Sequence, residues 1–314
     1  MQMRVVFMGT PDFAVPALRA LAEADYDVVA VVTQPDRPKG RGKKNTPPPV
    51  KETAGALNIP VFQPIKINDP DFISLLQGLH PDVIVVVAFG RILPKDILTI
   101  PGYGCINIHA SLLPKYRGAA PIHRAVTNGE KVTGVTTMYM DEGLDTGDMI
   151  LCETVPIHDD DNVGAVHDRL AVLGAKLLIK TLGLIRCGHA PRLPQAGESS
   201  YAPMLKAEDE LIIWDRPAAD INNQIRGMSP WPGARTTLHG KVLKIWRAEL
   251  FEDGGGAVLP GQVISAGSEG IIVQAGKGRL RIKELQLQGA KRLSCADFLR
   301  GTPLPAGMFL GASL

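Results

Sequence analysis

The run Asp82-Val83-Ile84-Val85-Val86-Val87-Ala88 constrains the fold of this chain more than any other stretch. Its unbroken series of β-branched apolar residues leaves no polar face, so a strand made from it is buried on both sides. The sequence upstream has a matching rhythm. Arg4-Val5-Val6-Phe7-Met8-Gly9-Thr10 reads as a strand, Ala14 to Ala24 as a helix and Val28-Val29-Ala30-Val31-Val32-Thr33 as a second strand, with helices predicted around Val50 to Leu57 and Asp71 to Gly78. Such alternation predicts an α/β architecture: a Rossmann-like, mostly parallel sheet with helices on both faces. Gly9-Thr10-Pro11-Asp12-Phe13 occupies the turn where a dinucleotide fold carries its glycine fingerprint, but G-x-G-x-x-G is absent. A nicotinamide cofactor is therefore not expected.

Beyond the central run, Cys105-Ile106-Asn107-Ile108-His109 reads as a shorter strand. Asn107 and His109, two residues apart, share one face of it. At the carboxyl end of a strand in an open α/β sheet they point into the crevice where such folds bind ligands. Asp145 follows inside Gly143-Leu144-Asp145-Thr146-Gly147-Asp148, a loop flanked by predicted strands at Thr133 to Met140 and Met149 to Pro156. An amide, an imidazole and a carboxylate together suit acyl transfer to an amine. His109 shuttles protons, the Asn107 amide donates to the oxyanion and Asp145 orients the imidazole; no covalent nucleophile is required. Taken alone, Asn-x-His is more often a turn cap beside a core histidine, with Asp145 one more loop carboxylate. The surrounding residues decide.

The run from Asn107 through Ser111-Leu112-Leu113-Pro114-Lys115-Tyr116-Arg117-Gly118-Ala119-Ala120-Pro121-Ile122 to Asp145 resembles the signature of the 10-formyltetrahydrofolate-dependent formyltransferases, and the resemblance extends along the whole chain. It implies that Asn107, His109 and Asp145 are the catalytic trio. It further implies that Ser111, Leu112, Leu113 and Pro114 contact the tetrahydrofolate carrier, and that Phe89, Gly90 and Ile92 lie beside its pteridine. The other reading of Phe89 to Pro94 is a strand-to-helix turn with Phe89 in the core. Arg117 and Gly118 shape the amine-side pocket, or Gly118 starts the helix over Ala119 to Val126. The implied formyl donor is 10-formyltetrahydrofolate, used as a co-substrate without a metal. The implied acceptor is the α-amino group of methionine on initiator methionyl-tRNA, supplying translation initiation. Family members acting on a small amine, an aminosugar or water share the trio and the carrier loop. A nucleic-acid-binding module with a vestigial trio is the reading from another class, and the intact Asn107, His109 and Asp145 speak against it.

A long amphipathic helix is predicted from about Val163 to Ile185, after which the texture changes. Pro191, Pro194 and Pro203 punctuate an aperiodic stretch that reads as a linker. A short helix around Ala218 to Met228 then precedes alternating runs at Lys241 to Trp246, Gly261 to Ile264, Gly270 to Val273 and Arg279 to Ile282. Short strands separated by glycines predict a small β-barrel, which the resemblance makes OB-like. Ser229-Pro230-Trp231-Pro232-Gly233-Ala234 resembles the family motif at its start. The expected division is a catalytic domain over 1–188, a linker over 189–206 and a tRNA-binding barrel over 207–314.

Net charge is only +2, but Arg37-Pro38-Lys39-Gly40-Arg41-Gly42-Lys43-Lys44-Asn45-Thr46-Pro47-Pro48-Pro49 concentrates cations on a Gly-rich loop. By itself this is as much a solvated charge run as a binding element. In the resembled family the inserted loop enters the acceptor arm of tRNA. Lys39, Arg41, Lys43 and Lys44 are thus the expected phosphate contacts, supplying affinity rather than sequence readout. With 314 residues, 45% of them hydrophobic, the chain suits a two-domain globular enzyme. It shows no signal peptide, no bilayer-spanning apolar run and no coiled-coil pattern. Cys105, Cys152, Cys187 and Cys295 form no C-x-x-C pair, and His123, His158, His167, His189 and His239 have no ligand spacing. A cytoplasmic, monomeric enzyme with reduced thiols and no metal is the expectation.

Overall fold

A computed structural model describes residues 2–39, 44–251 and 258–311, with main chain only for Lys39 and Lys44. Two compact units emerge that are not contiguous in sequence. The first comprises Met1–Pro121, Val132–Pro156 and His167–Pro203, the second Ile122–Lys131, Ile157–Val166 and Met204–Leu314.

The first unit contains β1 (Met3–Gly9), α1 (Val15–Glu23), β2 (Tyr26–Val32), the short strands β3 (Arg37–Lys39) and β4 (Lys44–Thr46), α2 (Pro49–Ala56), β5 (Val61–Phe62), α3 (Pro70–Gly78), β6 (Val83–Val87), α4 (Lys95–Leu98) and β7 (Cys105–His109). After α5 (Pro121–Thr127), which belongs to the second unit from Ile122 onward, come β8 (Val132–Tyr139), β9 (Met149–Pro156) and α6 (Val163–Arg186), the last in the first unit from His167 onward. The main sheet runs β5-β2-β1-β6-β7-β8-β9. The first five strands in that order are parallel, whereas β8 and β9 are antiparallel to their neighbours. Every residue of β6 is buried, as its composition requires. Each fully buried aliphatic side chain in such a layer contributes about 1.5–3 kcal/mol relative to exposure.

Local sequence explains the helices that cover this sheet. Asp69 caps α3, its carboxylate accepting the Asp71 N–H at 3.0 Å, and Pro70 occupies the first turn, where a missing N–H costs nothing. In α6, Leu170, Leu177, Leu178, Leu182 and Ile185 are buried at helical spacing. Gly174 of this helix lies so near β7 that an added Cβ would sit 3.0 Å from Ile108 Cγ2. The helix thereby covers the Ile108 face of the strand, and Asn107 and His109 are left to the opposite face.

The sheet order also defines where ligands can enter. The chain starts at β1, builds outward to β2 and β5, then returns to add β6 on the other side of β1. The crossovers from β1 to β2 and from β6 to β7 diverge here, leaving a crevice beyond the strand ends. A cleft of about 540 Å³ occupies this position, lined by Thr10, Gln34, Pro48, Ala88, Gly90 and Arg91 among others. The basic loop, expected as an irregular finger, begins and ends as the β3–β4 hairpin, with Arg37 paired to Thr46.

The second unit contains α7 (Ala218–Gly227), β10 (Ala234–Leu238), β11 (Lys241–Phe251), β12 (Val263–Gly267), β13 (Gly270–Gln274), β14 (Arg279–Leu287), β15 (Leu293–Ser294) and α8 (Cys295–Gly301). Its antiparallel order is β10-β11-β14-β13-β12, with β15 pairing β14. Burial alternates along β10 and the start of β11, the signature of a sheet with one face in a core. A segment that periodicity did not mark bridges the two ends of the order. The Leu310 N–H donates to Gly261 O at 2.8 Å and the Gly311 N–H to Thr237 O at 2.9 Å, giving the barrel-like closure expected of short strands. Among the described residues no helix is long and apolar enough to cross a membrane.

One ion pair in this unit sets a pH dependence. Arg124 of α5 holds Asp209 bidentately, both contacts at 2.8 Å, and the Lys206 N–H donates to the same carboxylate at 2.8 Å. These bonds, the Arg124 contact foremost, hold the Asp209 carboxyl below the usual carboxylate value against the opposing effect of burial. A carboxylate whose pKa is lower folded than unfolded stabilises the fold above its unfolded value, about 3.9, and loses that contribution as pH falls through the folded value. Asp209→Asn is therefore expected to lower the thermal midpoint at pH 7. The gap to wild type narrows in melts below about pH 4.

Candidate active site

His109, the last residue of β7, is 5% exposed. Its Nε2 lies 2.9 Å from Tyr116 O. A carbonyl oxygen only accepts, so in the neutral ring the N–H sits on Nε2 and the lone pair on Nδ1. Nδ1 is 3.6 Å from Asp145 Oδ2, too long for a hydrogen bond but close enough for a charge on the ring to be felt. Asn107 Nδ2 donates to Asp145 Oδ1 at 3.4 Å, a long contact that leaves its second N–H for another acceptor. The Gly118 N–H donates to Asp145 Oδ2 at 2.8 Å. Asp145, more than thirty positions away in sequence, thus converges with Asn107 and His109 of β7, and both oxygens of its carboxylate are engaged.

Two of the partners have unusual backbone. Asp145 has φ 53° and Tyr116 φ 60°, the left-handed region, which costs a tyrosine more than an aspartate but is strained for both relative to glycine. Such strain persists only when surrounding contacts over-determine it. Around Asp145 they do. Asp141 Oδ1 accepts the Gly143 N–H and the Thr146 hydroxyl at 3.0 and 2.7 Å, and a Cβ at Gly147 would fall 1.9 Å from Tyr139 O. Around Tyr116, its N–H donates to Ser200 Oγ at 2.9 Å, and the Arg117 N–H to Ser200 O at 2.9 Å.

The carrier-loop residues are fixed from below. Thr136 of β8 donates its hydroxyl to Ser111 O at 2.7 Å and accepts the Leu113 N–H at 3.2 Å. Ser111 is fully buried and its own hydroxyl donates to Lys115 O at 2.6 Å, so it shapes the loop from inside. Leu113 is buried, while Leu112 and Pro114 are half-buried. Gly134 makes room for Leu112: a Cβ there would meet Leu112 Cδ2 at 2.4 Å.

Phe89 differs from the reading that set its ring beside a ligand. The ring is 2% exposed in a cluster with Phe72, Leu93 and Ile97, because the positive φ of Ala88 (46°) and Gly90 (78°) reverses the chain around it. What Phe89 offers the cleft is main chain: Phe89 O accepts from Thr10 Oγ1 and from Gln34 Nε2, both at 3.2 Å. Gly90 is exposed on the cleft with open space where a Cβ would stand. Ile92 is 72% exposed. Of the four cations expected on tRNA, Arg41 and Lys43 lie outside the described residues, as do the side chains of Lys39 and Lys44.

Sequence reasoning missed Gln34, Arg91 and Gln195. Arg91 donates to Gln34 Oε1 at 3.2 Å and to Ile65 O at 2.7 Å, bracing the cleft. Gln195 touches the Asp145 loop and Arg117. Cys105, adjacent to the trio in sequence, is inert by comparison: burial pushes its thiol up to about 12.

Comparison with known proteins follows the same outline. The family profile described as "Formyl transferase" matches residues 3–182, and "Formyl transferase, C-terminal domain" matches residues 204–303. The methionyl-tRNA formyltransferase of Pelotomaculum thermopropionicum is 71% identical over 309 residues, covering 98% of this chain and 99% of that one. The Helicobacter canadensis N-formyltransferase solved with folinic acid and dTDP-3-aminofucose superposes with a TM-score of 0.65 at 20% identity, covering 93% of this chain and 100% of that one. HypX from Aquifex aeolicus in complex with tetrahydrofolic acid gives a TM-score of 0.64 at 18% identity, covering 100% of this chain and 51% of that one.

Proposed function

The chain belongs to the formyl transferase family, and from that premise we infer how its own residues carry out the reaction named for its full-length relatives. It transfers the formyl group of 10-formyltetrahydrofolate to the α-amino group of methionine on initiator methionyl-tRNA, supplying N-formylmethionyl-tRNA for translation initiation. The observation that carries the assignment of roles is the orientation of His109, with Nε2 held by Tyr116 O and Nδ1 turned toward Asp145.

The amine must lose a proton as its nitrogen bonds to the formyl carbon. The Nδ1 lone pair accepts that proton, and the resulting imidazolium faces the Asp145 carboxylate on one side and a carbonyl on the other. The spare N–H of Asn107 donates to the formyl oxygen as negative charge develops there. When the bond to N10 breaks, His109 returns the proton to that nitrogen, leaving tetrahydrofolate. The cleft beside Ala88, Gly90 and Arg91 suits the carrier, because its prolines offer apolar walls while Thr10, Gln34 and Arg91 supply polar groups for a heterocycle. Leu112 and Pro114 then flank it, with Leu113 and Ser111 supporting them. Gly90 and the main chain at Phe89 fit the pteridine better than the Phe89 ring does, and Ile92 is free to cover it.

For the acceptor, the finger cations Lys39, Arg41, Lys43 and Lys44 contact tRNA phosphates, and the domain over 207–314 adds further contacts to the same substrate. The enzyme acts as a cytoplasmic monomer. Arg41→Ala is expected to lower kcat/KM for methionyl initiator tRNA by about tenfold and to reduce the log–log salt slope by about 0.9, one phosphate contact. The KM for 10-formyltetrahydrofolate stays unchanged. Unaltered kcat/KM and salt slope in a labelled-formyl transfer assay would remove the finger from tRNA engagement.

A further inference from the structure

We propose that Gln195 is a positioning residue that holds the Asp145 carboxylate in register with His109, a role that rests on the catalytic reading of that pair. Gln195 belongs to the proline-punctuated stretch after α6, where sequence alone suggests only a linker. Its amide is fully used. Nε2 donates to Asp145 O at 2.8 Å and to Gly147 O at 2.9 Å. Oε1 accepts from Arg117 Nε at 3.0 Å and from Arg117 Nη2 at 2.7 Å.

These four bonds join the two loops that meet at the carboxylate. On one side, Gln195 grips the main chain of Asp145 in its left-handed conformation. On the other, it holds the guanidinium of Arg117, the residue preceding Gly118, whose N–H donates to Asp145 Oδ2 at 2.8 Å. The result is a closed ring from Gln195 through the Asp145 main chain, its carboxylate, Gly118 and Arg117 back to Gln195. The carboxylate cannot move relative to its Gly118 anchor without breaking a bond in this ring. Only a primary amide satisfies both halves: a carboxylate would still bind Arg117 but would set an oxygen against two carbonyls, and an ammonium would do the reverse. The geometry around His109 depends on this registration, because the Nδ1 to Oδ2 separation of 3.6 Å is set by loop positions and not by a direct hydrogen bond.

The test is a double-mutant cycle under single-turnover conditions with labelled 10-formyltetrahydrofolate. Gln195→Met fills the same volume without hydrogen bonds. It is expected to lower kcat by about 10–100-fold, the scale of a displacement of about 1 Å at a reacting group, with the KM for the folate unchanged. Gln195→Glu, which keeps only the Arg117 half, is expected to fall equally. Introduced into Asp145→Ala, Gln195→Met should cost less than about twofold more, since coupled residues are non-additive. Thermal melts of the single variants identify any loss of fold. Wild-type kcat in both Gln195 variants, or a full additional loss in the Asp145→Ala background, overturns the positioning role. Wild-type kcat in Asp145→Ala itself would instead defeat the catalytic reading on which the role rests.

Discussion

Replacing His109 with alanine is expected to lower kcat by about 10²–10⁴-fold, the range of a positioned general acid–base, or about 2.7–5.4 kcal/mol of barrier. The KM for 10-formyltetrahydrofolate is expected to stay near its wild-type value, because the ring is 5% exposed beneath the site and its proton transfers matter only as bonds change. The substitution also removes the N–H that faces Tyr116 O and opens a small cavity. That costs stability on the order of 1–3 kcal/mol, which a thermal melt measures separately from rate. A variant with a wild-type melt and wild-type kcat would remove His109 from the chemistry.

Asp145 carries the second large effect, and two substitutions separate its causes. Asparagine tolerates the left-handed backbone at φ 53° and retains an oxygen for the Gly118 N–H, so Asp145→Asn removes charge while preserving shape. Alanine loses both charge and acceptor and adds backbone strain on the order of 1 kcal/mol. Loss of the charge leaves the proton taken up at Nδ1 without its counter-charge 3.6 Å away. Asp145→Asn is expected to lower kcat by about 10²–10⁴-fold, and Asp145→Ala by at least as much, with a lower melting temperature in the alanine variant alone. If only the alanine variant loses activity, Asp145 serves as a backbone anchor and not as a charge partner.

How much of this was legible in sequence follows from the physics of each element. β6 was legible because burial on both faces forces an unbroken apolar run, and β7 because Asn107 and His109 alternate with Ile106 and Ile108. α6 announced itself through the spacing of Leu170, Leu177 and Leu178. The β3–β4 hairpin was hidden because three-residue strands have no measurable period, and Leu310 and Gly311 because they close the barrel through main-chain bonds. Phe89 was ambiguous: an aromatic after a buried strand suits a ligand or a core equally, and the positive φ on either side of it decides. Gln195 left no trace, since a side chain bonding main-chain carbonyls has no periodicity and no motif. The trio itself was legible through its resemblance to a family signature, while the tautomer of His109 required the Tyr116 carbonyl to be located.

The central claim is folate-dependent formylation of the amine on an initiator tRNA, and one assay addresses it directly. Labelled formyl transfer from 10-formyltetrahydrofolate is measured in parallel to methionyl initiator tRNA, methionyl elongator tRNA and a small amine. Preferential labelling of the initiator is the predicted result. Labelling of the small amine alone, or formate release that does not depend on any acceptor, would contradict it.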